Sequence, residues 1–390
     1  MNIILVADLY YPLVNGCSYF IQRLALQLKE RGHQVIVIAP SESFSYTIKE
    51  IDGITVYGMR SYPTFVYPKF RLCFLPFSGK RIEKIVNNFK PDVIHFQWHF
   101  GVNRAVLKVA KKMGIRTIGT NHFMPETMVH YLPFSKYVAR PLIHLAWKDF
   151  ARVFKQMDQI TTPTQIAADL ITPYFKQPVI PISCGIDLQR FRPGQCTKAV
   201  RARYGIPEKP VLLYVGRLDR EKNLDVVIKA SAKALKDLDF HLIIAGCGTE
   251  KKGLTNLVKE LNLQASVTFT GFVPNEVLPT LYCIANCFII AGTAELQSIA
   301  TMEAMASALP VLAVDAVALP ELVHEGVNGY LFQIADINEF AKKIKRMTQD
   351  KQLRDTMGKE SIDCITAHEI GVVMDKYEMI YKPAAVIPSI

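Results

Sequence analysis

Glu295 and Glu303 are the residues whose type and spacing speak most directly of chemistry. They stand in ELQSIATMEAMASALPVLA, after the apolar run Cys287–Ile290 and the loop Ala291–Ala294. The pattern predicts a helix from about Gln297 to Ala308 and a strand from Pro310. In open α/β sheets ligands bind beyond the carboxyl ends of the strands, and a helix N-terminus there favours phosphate. Two carboxylates eight residues apart, one at the helix entrance, can accept hydroxyls from two parts of one ligand, as a sugar or ribose clamp requires. The plainer alternative has Glu295 capping the helix and Glu303 in solvent.

Four further segments have the same placement. Gly216-Arg217-Leu218-Asp219-Arg220-Glu221-Lys222-Asn223 directly follows the strand-like run Val211–Val215. Arg217 and Lys222 can neutralise a diphosphate leaving group there; alternatively Asp219 and Glu221 pair with them in a solvated loop. Gly216, and Gly246 and Gly248 after the run His241–Ala245, allow backbone to approach a ligand closely. Tyr11–Gly16 follows the first apolar run and ends on Asn15-Gly16, which does not match GxGxxG. In Gly119–Glu126, His122 can meet a sugar hydroxyl or move a proton, or serve as a core or capping histidine. The five segments come from both halves of the chain, as expected of one ligand held between two α/β domains.

The elements that position these residues alternate throughout. Strand-like runs are Ile3–Ala7, Val35–Ala39, Val93–Phe96, Arg116–Gly119, Val211–Val215, His241–Ala245, Val267–Phe269, Cys287–Ile290 and Pro310–Val314. Helical periodicity marks Phe20–Glu30, Val102–Lys112, Leu224–Leu235, Leu254–Leu261 and Ile337–Met347. Short apolar strands between helices predict parallel sheets buried on both faces, a doubly wound α/β fold. A chain of 390 residues suits two domains of ~150–200 residues each. The polar, Pro- and Gly-containing stretch Ile186–Lys209 reads as the linker, where the pattern restarts. The expected domains are 1–190 and 191–368, with a helix at 369–382 packing back on the first.

Composition narrows the class. Half the residues are hydrophobic and 21% charged, which excludes extensive disorder outside Pro383–Ile390. No apolar stretch approaches the ~20 residues needed to span a bilayer, and MNIILVAD reads as a first strand rather than a signal peptide. The eight cysteines form no CxxC pair and no metal-ligand spacing, so all are expected as buried free thiols. The expected location is cytoplasmic. Residues 1–190 carry 23 Lys and Arg against 12 Asp and Glu, so the whole net charge of +11 sits there. That half should meet something anionic. No nucleic-acid motif accompanies the charge, so nucleic acid is not an expected partner.

On these residues the chain resembles glycosyltransferase family 4. Glu295 and Glu303 match its E-x7-E motif, LYVGRLDREKNLD resembles its VGR-x-x-x-EKN loop, and PISCGIDLQRFRP resembles its S-N-G-I-D-x-x-x-F-x-P stretch. DAVALPELVHEGVNGYLF is similar to the segment that follows. The resemblance implies a GT-B fold of two facing Rossmann-like domains with the active site in the cleft between them. It implies a retaining hexosyltransferase using a nucleotide-diphosphate sugar, with no metal and no cofactor. Glu303 would bind ribose hydroxyls and Glu295 the donor sugar. Arg217 and Lys222 would stabilise the diphosphate, Asn15 and Gly16 would shape the loop beside it, and His122 would approach the donor sugar. Three positions depart from the family's pattern. Asn15-Gly16 replaces Gly-Gly, Ser298 replaces a glycine after Leu296 and Gln297, and Ala308 replaces the glycine of A-S-G-L-P. Leu296, Gln297 and Ser298 should then face the donor sugar.

Asn15-Gly16 together with Asn121–Glu126 resembles the subgroup that glycosylates diacylglycerol lipids. TFVYPKFRLCFLPFSGKR and YLPFSKYVARPLIHLAWKDFARVF mix aromatics with Lys and Arg, a composition suited to an anionic membrane surface. The expected activity is hexose transfer from UDP-glucose or UDP-galactose, with GDP-mannose next, to a membrane glycerolipid, peripheral on the inner face of the cytoplasmic membrane. A soluble acceptor is the alternative. A GT-B-like epimerase or a non-catalytic nucleotide-sugar-binding protein is the alternative of another class.

Overall fold

The computed structural model describes residues 1–10, 16–64, 71–73, 75–126, 136–194 and 198–382, with backbone alone at 75–77, 136–140 and 198. Asn15, Cys196 and Pro383–Ile390 fall outside the described residues, as do 65–70 and 127–135 of the two aromatic, basic stretches. The chain divides into two compact units. One is Met1–Ser183 with the chain from Val373 onward, and the other is Cys184–Val372.

The first unit is built on an eight-stranded sheet. Its order is Val179–Pro181, Gln159–Thr162, Arg116–Thr120, Val93–Phe96, Asn2–Val6, Gln34–Pro40, Ile54–Met59 and Thr47–Ile51. Asn2–Val6 is central because Ile3, Ile4, Leu5 and Val6 are fully buried, a continuous apolar run that only a doubly covered strand can satisfy. It pairs in parallel with Gln34–Pro40 on one side and Val93–Phe96 on the other. The helices Gly16–Glu30 and Gly101–Lys112 follow two of these neighbouring strands. The helix Ile370–Tyr381 also packs on this unit. Tyr381 donates to or accepts from His95 Nδ1 at 2.8 Å, and Arg31 and His33 pair with Asp375 and Glu378.

The expectation of an all-parallel sheet fails at one edge. Thr47–Ile51 runs antiparallel to Ile54–Met59, with Ile51 paired to Ile54. The turn between them is Asp52-Gly53, with φ of 52° and 74°. Two positive φ values define the two-residue hairpin turn that Asp-Gly favours, so the dipeptide itself carries the signal for this edge.

The second unit holds a six-stranded, wholly parallel sheet. Its order is Val267–Gly271, His241–Ala245, Val211–Val215, Cys287–Ile290, Val311–Val314 and Gly329–Phe332. Numbered within the unit this is 3-2-1-4-5-6, the doubly wound order of dinucleotide-binding sheets. Strand order reverses between Val211–Val215 and Cys287–Ile290, which pair Leu212 to Cys287 and Leu213 to Phe288. The stretch Ile186–Lys209 is not all linker: Lys198–Tyr204 is helical, and Ile186 bridges to Glu369. Among the described residues Cys73, Cys184 and Cys287 are buried free thiols, while the free thiols of Cys17 and Cys364 are half-buried, that of Cys247 is exposed, and Cys283 is disulfide-bonded. These four positions correct the expectation of buried free thiols, since spacing alone carries no information about burial or bonding. Among the described residues no helix is long and apolar enough to cross a membrane.

Ala308 occupies the position after the helix Ile299–Ala306 and its cap Ser307, at φ 60°. That left-handed helix end favours glycine. We expect Ala308→Gly to stabilise the second unit by about 0.5–1 kcal/mol; an unchanged or lowered urea midpoint would count against this.

Candidate active site

The reversal of strand order in the second unit brings two distant loops together. The loop 216–223 leaves the strand Val211–Val215, and the loop 291–298 leaves its neighbour Cys287–Ile290. Lys222 Nζ lies 2.5 Å from Glu295 Oε1, and both side chains are about 15% exposed. Two residues 73 apart in sequence thus form one ion pair, and the first two sequence signals become one site. Glu295 does not cap the following helix. Ser298 does, accepting from Thr301 N at 3.2 Å.

Arg217 is held differently. Its guanidinium donates to Asp219, and to Glu221 Oε1 at 2.8 Å. Both carboxylates are buried, so this is no solvated loop. Asp219 also accepts from the Thr249 backbone and hydroxyl at 3.1 Å each. Asn223 joins the two loops. It sits at φ 49° and ψ 39° and donates to the Ala291 carbonyl at 2.9 Å. An asparagine tolerates that backbone region better than most residues.

The glycines have steric tasks within the unit. A Cβ at Gly246 would lie 1.8 Å from the Gly216 carbonyl oxygen, and one at Gly248 within 2.5 Å of Leu218 backbone atoms. The loops 216–218 and 246–248 therefore pack backbone on backbone, with Leu218 N donating to Cys247 O at 3.0 Å. At Gly216 the Tyr214 hydroxyl takes the space, 2.6 Å from where a Cβ would stand. That hydroxyl donates to the Arg217 carbonyl at 2.7 Å. Gly292 has no distinguishing sequence pattern. A Cβ there would meet Glu295 Oε1 at 2.7 Å, so a larger residue would displace the carboxylate from this position.

Glu303 lies on the helix Ile299–Ala306 and accepts from the Tyr282 hydroxyl at 2.8 Å. Sequence reasoning misses Tyr282 because nothing in its local pattern distinguishes it from a core aromatic. Of the three residues expected to face the donor sugar, Ser298 spends its hydroxyl on the helix cap. The Gln297 amide oxygen accepts from Cys184 N at 2.7 Å, and its nitrogen lies 3.5 Å from His368 Nδ1. Those two side chains serve the protein's own chain in this structure. Leu296 is partly exposed.

In the first unit His122 follows the strand Arg116–Thr120. Its Nε2 is 2.9 Å from Gln97 Oε1, and its ring lies 5.0 Å from that of Phe20. Phe20 belongs to the helix that Gly16 begins. Gln97 is absent from the sequence signals, although a polar residue directly after the buried strand Val93–Phe96 is a legible sign. Burial pushes His122 down to about 3, so its imidazole is neutral and works as a hydrogen-bonding group. Asp8 is a second omission. It is buried beside the start of the helix Gly101–Lys112, accepting from Phe100 N at 3.1 Å. Burial pushes it up to about 7 against the pull of those amides, Asn103 and Arg104.

Gly248→Ala drives a methyl into fixed backbone and should cost about 2–4 kcal/mol of stability. A thermal midpoint within about 2 °C of the parent would refute that reading, since a loss of this size moves the midpoint further. Stability should also depend on pH. Burial holds His95, His99 and His122 down at about 3. Each contributes stability that is present above its unfolded pKa of 6.5 and is lost as pH falls, because unfolding releases a site that binds a proton. Asp8 acts oppositely, its contribution being present below 3.8 and lost as pH rises through about 7. Three against one leaves a net loss below pH 6.5 of roughly 2–3 kcal/mol per unit. Urea unfolding at about pH 7.5 and about pH 5.5, either side of the free histidine pKa, tests the sign. Equal midpoints would contradict it.

Comparison with known proteins agrees with this geometry. Residues 14–190 match the family model Glycosyltransferase Family 4, and 197–363 match Glycosyl transferases group 1. The chain is 29% identical over 341 residues to the alpha-monoglucosyldiacylglycerol synthase of Streptococcus pneumoniae, covering 85% of this chain and 75% of that protein. It is 27% identical over 342 residues to a GDP-mannose-dependent alpha-mannosyltransferase of Corynebacterium glutamicum, covering 87% and 78%. Its fold is similar to the solved sucrose-phosphate synthase of Thermosynechococcus elongatus, with a TM-score of 0.79 at 20% identity over 97% and 98% of the two chains. With its GT-B fold and its paired family domains, the chain belongs to glycosyltransferase family 4 and is a retaining hexosyltransferase.

Proposed function

We propose that the enzyme moves a hexose from a nucleotide-diphosphate sugar to a hydroxyl of a membrane glycerolipid. UDP-glucose or UDP-galactose is the favoured donor and GDP-mannose the next. The observation that carries the donor half is the Lys222–Glu295 ion pair at the sheet's reversal point. A diphosphate brings more negative charge to Lys222 than one carboxylate does, and draws the ammonium toward itself. Glu295 is then left to accept hydroxyls of the hexose, while Glu303 takes those of the ribose. Arg217 is already compensated by Asp219 and Glu221, so Lys222 carries more of the leaving-group charge. The bond from the sugar's C1 to the diphosphate oxygen breaks as the acceptor oxygen bonds C1 on the same face. The acceptor proton passes to the departing diphosphate oxygen. Neutral His122 offers a hydrogen bond to the donor sugar, with no proton to give up.

Support for a lipid acceptor comes from the relative that makes a glucosyldiacylglycerol and from the surface of the first unit. The helix Lys136–Phe154 exposes Leu142 and Leu145, then Lys148 and Arg152 at helical spacings of three and four. Apolar side chains beside cations on one helix face suit an anionic interface. Exposed Phe44 and Tyr62 pack with tilted rings 4.8 Å apart elsewhere on the unit.

The test is a transfer assay with UDP-glucose, UDP-galactose and GDP-mannose, with and without diacylglycerol in phosphatidylglycerol vesicles. We expect vesicle-dependent nucleotide release from one donor. Lys222→Ala and Glu295→Ala should each lower kcat ~10²–10³-fold. Arg217→Ala should in addition destabilise the fold by about 2 kcal/mol, because it takes the neutralising cation away from two buried carboxylates. Release that ignores vesicles would point to a soluble acceptor. Donor consumed without any glycoside would point to an epimerase, and no release at all would sink the transfer reading.

A further inference from the structure

Tyr282 is fully buried at the end of the helix Leu278–Cys283. Its hydroxyl donates to Glu303 Oε2 at 2.8 Å and lies 3.2 Å from the Ala300 carbonyl, also on the Glu303 helix. Its ring is packed edge-on by Phe191 at 5.8 Å and tilted against Phe288 at 6.0 Å. Phe191 comes from the linker stretch and is itself buried. Arg190 covers its ring at 5.1 Å and ties that stretch to the Asn275 carbonyl at 2.8 Å. A ring so enclosed would pack equally well as phenylalanine. The hydroxyl is what needs explaining, and its shorter bond goes to a carboxylate, the stronger kind of acceptor.

We propose that Tyr282 is a positioning residue for nucleotide binding: its hydroxyl fixes the Glu303 carboxylate in the orientation that receives the ribose hydroxyls, and Phe191 holds Tyr282 in place. The inference rests on the reading of Glu303 as the ribose ligand. A glutamate side chain free to rotate must be ordered when the nucleotide arrives, which weakens binding. Anchoring one oxygen beforehand removes that cost. Burial, then the Glu303 charge, raises Tyr282 well above the usual phenol range. The hydroxyl therefore keeps its proton at any working pH, and the anchor does not titrate.

The experiment compares binding of UDP and GDP with their 2′,3′-dideoxy counterparts, by calorimetry on the parent enzyme, Tyr282→Phe and Glu303→Gln. For the ribonucleotide that binds, Tyr282→Phe should weaken affinity roughly 5–10-fold and raise the donor KM, with kcat within twofold. The dideoxy counterpart should bind the parent and Tyr282→Phe equally. If Tyr282→Phe keeps the parent's ratio of ribo to dideoxy affinity, the positioning role is overturned while Glu303 stands. If the parent itself does not discriminate, or Glu303→Gln leaves the ratio unchanged, the ribose reading of Glu303 fails and takes this inference with it. Should Tyr282→Phe not fold, Phe191→Leu loosens the same anchor and should shift the ratio in the same direction; an unchanged ratio there overturns the role equally.

Discussion

The Lys222–Glu295 ion pair depends on a reversal of strand order in a parallel sheet. The strand Val211–Val215 has its sequence successor on one side and Cys287–Ile290 on the other. Ligands of open α/β sheets bind where strand order reverses in this way. Lys222 and Glu295 meet there at 2.5 Å. Gly292 gives Glu295 room, and Asn223 holds the two loops in register through the Ala291 carbonyl.

Charge around this junction is closely balanced. Arg217 and Lys222 face Asp219, Glu221 and Glu295, two cations against three carboxylates. A site that recognises a diphosphate by cations alone would be poorly stable when empty, because unpaired buried charge is costly. Carboxylates that pair the cations make the empty site tolerable. In the proposed function one of them has a second task, since a carboxylate released from its lysine is a strong acceptor for sugar hydroxyls. The same residue types thus serve folding and chemistry.

The first unit uses another economy. Its polar residues at the sheet's carboxyl edge, Asp8, Gln97, His99 and His122, are largely buried. Burial keeps His95, His99 and His122 neutral. Its excess positive charge stays on the surface, beside exposed leucines on the helix Lys136–Phe154.

Much of this is legible in the chain itself. Continuous apolar runs such as Ile3–Val6 and Leu242–Ile244 can only be strands covered on both faces, and the helices between them follow from 3.6-residue periodicity. The doubly wound class and the segments that carry chemistry are therefore properties of local sequence. The antiparallel edge is legible too, in Asp52-Gly53, but a two-residue signal is easily outweighed by the surrounding pattern. What local sequence could not contain is pairing across distance. That Lys222 takes Glu295, that Gln297 turns to the Cys184 backbone, and that Tyr282 reaches Glu303 all depend on how the elements are brought together. Residue type and periodicity determined which groups stand at the ends of strands. The tertiary structure decided which of them touch, because neighbours in a sheet are chosen by the path of the whole chain.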